Sequence, residues 1–96
     1  MWVSPKVSVL LKELGFDEEC FGKYEKLDNG DYVLWETFRP VTYYDMTEDE
    51  FTAPKVWLIE WWLMQNHGIE LDYELGMEGL EKTLESLVDE KRAHVK

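Results

Sequence analysis

Positive charge is scarce in this chain. Ten Lys and Arg stand against 21 Asp and Glu, a formal charge of −11 over 96 residues. Affinity for phosphates depends on Lys and Arg displacing counterions, so direct nucleic-acid binding is disfavoured, as is an anionic membrane surface. Long apolar runs are missing as well. None approaches the roughly 20 residues that span a bilayer, and the N-terminus lacks the basic region and apolar stretch of a signal peptide. Cysteine is reduced to Cys20, which cannot form an internal disulfide and points to a reducing, cytoplasmic setting. It reads as a small, partly buried apolar residue.

Histidine is nearly as rare, with His67 and His94 alone, and no CxxC, HxxxH or His-rich cluster offers a metal site. His67 sits where it can cap a helix end, favoured there by the dipole. Asp45, Thr47, Asp49 and Glu50 have the outline of a calcium loop, yet Glu50 stands where the sixth-position glycine belongs. Carboxylate pairs occur everywhere in so acidic a chain, so none marks acid–base catalysis. There is no glycine-rich phosphate loop and no serine nucleophile motif. The expectation is a protein without enzymatic activity, metal or cofactor.

What is present is apolar and aromatic: 45% hydrophobic and 15% aromatic residues, the content of one folded domain over 1–96. Ser4-Pro5 reads as a helix cap and first position. Val7, Leu10, Leu11 and Leu14 follow at helical spacing, and Gly15 stops the helix. Residues 21–36 flank Asn29-Gly30 and predict a β-hairpin whose tight turn draws on the positive φ angles of that pair. Pro40 limits 37–44 to an edge strand or extended loop, and 45–52 form an acidic loop.

A second helix is expected from Pro54, capped by Thr52 or Ala53, to Gly68. From Ile69 to Leu75 apolar residues alternate with Glu70, Asp72 and Glu74, which predicts a strand with a carboxylate comb on its outer face. Met77, Leu80, Leu84, Leu87 and Val88 mark a last helix to about Lys91, and 93–96 are expected to fray. The fold class is α+β, in the order α-β-β-(β)-α-β-α. Three or four mostly antiparallel strands would carry the helices on one face.

Several pieces of this order resemble a group of small uncharacterised proteins encoded by phages and prophages of gut bacteria. They are Leu11-Lys12-Glu13-Leu14-Gly15-Phe16-Asp17-Glu18-Glu19-Cys20 with Tyr24, then Ala53-Pro54, Trp62-Leu63 and His67-Gly68-Ile69. The resemblance covers most of residues 8–71. It implies a phage-related origin, a bacterial cytoplasm and a similar fold, and it implies no activity. The departures lie in the second helix, where Trp57, Leu58, Trp61 and Met64 replace polar residues of the group's pattern and Lys55 replaces a threonine. The insertion that follows Ile-x-Leu in the group is shortened here.

That second helix is apolar over more than one face. At 100° per residue Val56, Ile59 and Leu63 share a sector, with Trp62 and Leu58 extending it. Trp57, Trp61 and Met64 fall together on another, roughly 80–140° from Val56. Either the last helix covers this second sector or it is a surface for another protein, or for a second copy of the chain.

The leading expectation is therefore protein–protein contact through Trp57, Trp61 and Met64. An alternative is an acidic inhibitor imitating nucleic acid for a host defence or nucleic-acid-binding protein. The comb Glu70, Asp72, Glu74 and the helix acids Glu78, Glu81, Glu85 and Asp89 would carry it. Same-face strand residues repeat at about 6.6–6.8 Å, near the phosphate spacing along one DNA strand. A structural or assembly component is a third possibility.

Overall fold

The computed structural model describes residues 1–71 and 73–94. Local capping chemistry sets the first helix, α1 (Pro5–Leu14). The Ser4 hydroxyl accepts from the Val7 N–H at 3.3 Å, and Gly15 closes the other end in the left-handed conformation at φ 77°. The Phe16 N–H then reaches back to the Leu11 carbonyl, and the Phe16 ring is fully buried. Helix α2 (Val56–His67) ends by the same device at Gly68, φ 64°, with Ile69 returning its N–H to Leu63.

The hairpin is β1 (Cys20–Lys26) and β2 (Tyr32–Val41), paired antiparallel from Lys26↔Tyr32 to Gly22↔Glu36. Its turn differs from the expected one. Only Gly30 has a positive φ, at 90°. Gly30 N–H bonds to the Leu27 carbonyl and Leu27 N–H to that of Asp31, so the loop is a tight turn closed by a left-handed glycine. Asn29 serves through its side chain, accepting from Asp31 N–H at 3.0 Å. Beyond Glu36 the pairing breaks and resumes at Cys20↔Val41. Residues 37–40, including Pro40, bulge from the edge strand, and Phe38 stands fully exposed on that arch.

The third strand is β3 (Glu50–Thr52), which pairs antiparallel with β1 and completes a sheet of order β2-β1-β3. It arises inside the expected acidic loop, after a short 3-10 turn at Tyr43–Asp45. The strand expected at 69–75 does not form. Residues 69–71 are irregular and Tyr73–Leu75 make a single 3-10 turn leading into α3 (Gly76–His94); Asp72 lies outside the described residues. Helix α3 runs to His94, beyond the end expected at about Lys91. Val95 and Lys96 lie outside the described residues.

The start of α2 also corrects the expectation. Neither Thr52 nor Ala53 caps it, and Pro54 is not its first residue. Chain 53–56 is held on both sides: Ala53 N–H bonds to Gly22, Val3 N–H to Pro54, and Val56 N–H to the Met1 carbonyl. Backbone committed to two neighbours cannot also turn into a helix, so α2 begins two residues later than expected, at Val56 behind Lys55. The N-terminal residues thus act as a short extra strand, with a bridge at Trp2↔Lys55. Trp2 crosses β1 at Gly22, where a Cβ would sit 2.5 Å from its ring and 2.7 Å from the Ala53 carbonyl.

Alternate residues of β1, Cys20, Gly22 and Tyr24, face inward. The Tyr24 hydroxyl donates to the Val3 carbonyl at 2.6 Å, and burial pushes its pKa up. The core joins Val3, Val7, Leu11 and Phe16 to Ile59, Trp62 and Leu63 of α2 and to Leu80 and Leu84 of α3. Helix α3 packs on α1, running the same way. Ser4 donates to Glu81, Lys6 pairs with Glu85, and Glu13 pairs with Arg92 at 2.6 Å. The result is one α+β domain: three helices on a three-stranded antiparallel sheet.

Candidate functional site

Helix α2 divides sharply around its axis. Ile59 and Leu63 are fully buried, and Trp62 is 6% exposed with its ring edge-on to Phe16 at 5.3 Å. His67, in the last turn, also lies edge-on to Trp62, at 5.1 Å. The second sector is open: Trp57 is 66% exposed, Trp61 48% and Met64 42%. Because α3 lies along α1, it leaves this side of α2 uncovered. The reading of Trp57 and Trp61 as core wedged between helices is therefore corrected.

The three exposed residues share one depression. Trp57, Trp61 and Met64 form one wall, and Ile69, Glu70 and Leu71 form the other, around a volume of about 320 Å³. A second, more enclosed depression of about 280 Å³ adjoins it, with Val56, Met77 and Leu80 among its lining. Glu60 and Leu71 belong to both. The irregular stretch 69–71 borders this side of α2, with Ile69 N–H bonded to the Leu63 carbonyl.

The acidic residues are scattered by comparison. Glu70 lies in the irregular stretch and Glu74 in the 3-10 turn, where the rise is about 2 Å per residue, so these two described residues are not held at strand spacing. Asp72 lies outside the described residues. On α3, Glu81 accepts from the Ser4 hydroxyl at 2.7 Å, Glu85 pairs with Lys6 and Glu78 lies 3.6 Å from Lys82. The Glu85 carboxylate pushes the Lys6 pKa up. Asp89 is exposed. Two of the four α3 acids therefore face the start of α1, and they do not line an outward row.

The loop with calcium-like spacing has a different occupant. The carbonyls of Thr47, Glu48 and Glu50 converge on the ammonium of Lys12, at 2.8, 3.3 and 3.0 Å. Among the described residues no group of three or more His, Cys, Asp and Glu is placed to hold a metal ion. Cys20 is buried, its thiol donating to the Gly22 carbonyl at 3.5 Å, and burial pushes its pKa up. Such a thiol is a poor nucleophile. No described helix is long and apolar enough to cross a membrane.

Sequence reasoning missed other exposed aromatics, namely Phe21, Trp35, Phe38 and Tyr44 on the sheet side. Alternation along β1 could have placed Phe21 outward opposite Cys20 and Gly22. Trp35 has a local anchor, its indole N–H donating to Glu25 at 3.2 Å, and Tyr44 packs edge-on against Tyr43 at 5.5 Å. The α2 sector differs from them in lining a depression. No family model matches the chain, and no curated protein or solved structure matches it either.

Proposed function

We propose that the protein works without catalysis, by binding another protein through the exposed side of α2. The observation that carries this reading is the open row Trp57, Trp61 and Met64 beside an apolar groove. Large exposed apolar patches are seldom idle, and Trp is the residue most enriched at the energetic centres of interfaces. The resemblance supports a phage or mobile-element setting inside a bacterial host. A self-interface uses the same surface in an assembly role.

The test compares wild type with Trp61→Glu at matched melting temperature. Capture from host lysate is paired with light scattering at low and high salt. A specific partner or a salt-independent dimer that disappears in the folded variant supports the reading; retention of every contact overturns it. The acidic, nucleic-acid-mimicking alternative draws on the net charge of −11. It predicts binding that collapses as salt rises, whereas an aromatic contact weakens little.

A further inference from the structure

Resting on that reading, we propose that the α2 groove receives a cationic amphipathic helix of a partner protein. The shape favours an elongated ligand over a compact one. The enclosed depression, about 280 Å³, is at the lower limit of the roughly 300–1,000 Å³ of small-molecule sites. Its neighbour, though of about 320 Å³, is a trough open to solvent. Two adjoining hollows divided by the ridge of Glu60 and Leu71 suit successive side chains of one ligand better than a single compact molecule. Val56, Leu71, Met77 and Leu80 would hold one apolar anchor, and Trp57, Trp61 and Met64 would flank the next.

Backbone chemistry selects the ligand's conformation. The groove's long wall is a helix whose N–H and C=O groups are already paired, so it offers no edge to an added strand. An extended peptide pressed there would bury its own unpaired amides. A helix arrives with those groups satisfied and presents apolar anchors at i, i+3, i+4 and i+7, the helix-in-groove mode of recognition.

Charge selects the rest. Among the described residues the charged side chains lining the two hollows are carboxylates, Glu70 and the already engaged Glu60. Seven of the molecule's ten Lys and Arg side chains are engaged away from the groove. Lys6, Lys23, Lys82 and Arg92 are in ion pairs, Lys12 and Lys91 donate to backbone carbonyls, and Lys55 lies 4.1 Å over the Trp2 ring. With a net charge of −11, the surroundings repel an acidic helix and speed the encounter with a basic one.

The probe is a synthetic amphipathic helix of Leu, Trp and Lys, titrated into the full chain and followed by amide chemical shifts. Two controls accompany it: a scramble of the same composition without the apolar stripe, and a version with Glu for Lys. The expected result is binding at least about tenfold tighter than the scramble, with shifts grouped on 56–64 and 69–80. Trp61→Glu and Glu70→Lys should each weaken it by about tenfold.

Equal binding of the scramble, or shifts spread over the sheet and α3, overturns the inference, because bulk charge would then suffice. Preference for the Glu version at the same groove overturns the cationic assignment but leaves α2 as the protein-binding surface. Silence from every peptide, together with unchanged host contacts for Trp61→Glu, removes both readings.

Discussion

Helices α1 and α2 begin behind extended residues and end at a left-handed glycine, and the residue that follows returns its N–H to the helix, yet they use their apolar side chains differently. In α1 the buried positions Val7 and Leu11 face the core, while Lys6, Lys12 and Glu13 reach α3 and the 47–50 loop. Little is left over. In α2 the core takes Ile59, Trp62 and Leu63, and three more large apolar residues remain in solvent. An amphipathic helix is accounted for by folding alone. The surplus on α2 is not, and that surplus carries the functional proposal.

The sharpest way to break this comparison is to strike the two sides of α2 separately. Trp62→Ala removes a ring packed against Phe16 and His67 and should destabilise the domain by about 3–5 kcal/mol in urea unfolding. A loss under about 1 kcal/mol would show that the division into buried and open sides is wrong. Gly22→Ala comes next. Its methyl would meet Trp2 and the Ala53 carbonyl oxygen, and overpacking of this kind costs about 1–3 kcal/mol. Trp2→Ala in the same chain should recover only part of that loss, because the backbone oxygen stays in place.

Legibility along the chain follows how local each determinant is. The α1 boundaries could be read because Ser4, Pro5 and Gly15 act within one turn of the residues they cap. The hairpin could be placed, but its turn type depends on strand register, which Asn29-Gly30 does not set alone. The start of α2 was misjudged because its true limit is Met1–Val3 lying along 54–56, a pairing some fifty residues distant in sequence. The alternation at 69–75 suggested a strand, yet 69–71 are irregular and Tyr73–Leu75 turn as a 3-10 helix into α3. The helical wheel grouped Trp57, Trp61 and Met64 correctly. Whether anything covered them depended on the path of α3, which periodicity does not encode.

Smaller effects sharpen the contrast between α1 and α2. The fit of α1 has one flaw: Ser8 is fully buried and, among the described residues, its hydroxyl has no hydrogen-bond partner. Ser8→Ala should raise stability by about 1 kcal/mol, seen as a higher urea midpoint at unchanged slope. On the sheet, the Lys23 ammonium and then the Thr47 N–H hold the Glu50 carboxyl below its ordinary value of 4.5. A carboxyl with a folded pKa below its unfolded one contributes stability above that unfolded value, and the contribution is lost as pH falls through the folded one. Glu50→Gln should therefore cost about 0.2–1 kcal/mol at pH 7. The difference from wild type should shrink below pH 4.5, measured by unfolding at both ends of that range.

The smallest expected change in stability decides most about function. Trp61 is half exposed, and Glu is at least as good a helix former, so Trp61→Glu should shift unfolding by less than about 0.5 kcal/mol. The same exchange places a carboxylate beside Glu60 and Glu70 at the centre of the open groove. Stability and association are then separable in one variant: an unmoved urea midpoint with lost binding assigns Trp61 to recognition. A drop of about 2 kcal/mol or more would instead make the open side of α2 part of what holds the domain together. Trp57→Glu, one turn earlier and more exposed still, should repeat the result if the row acts as one surface.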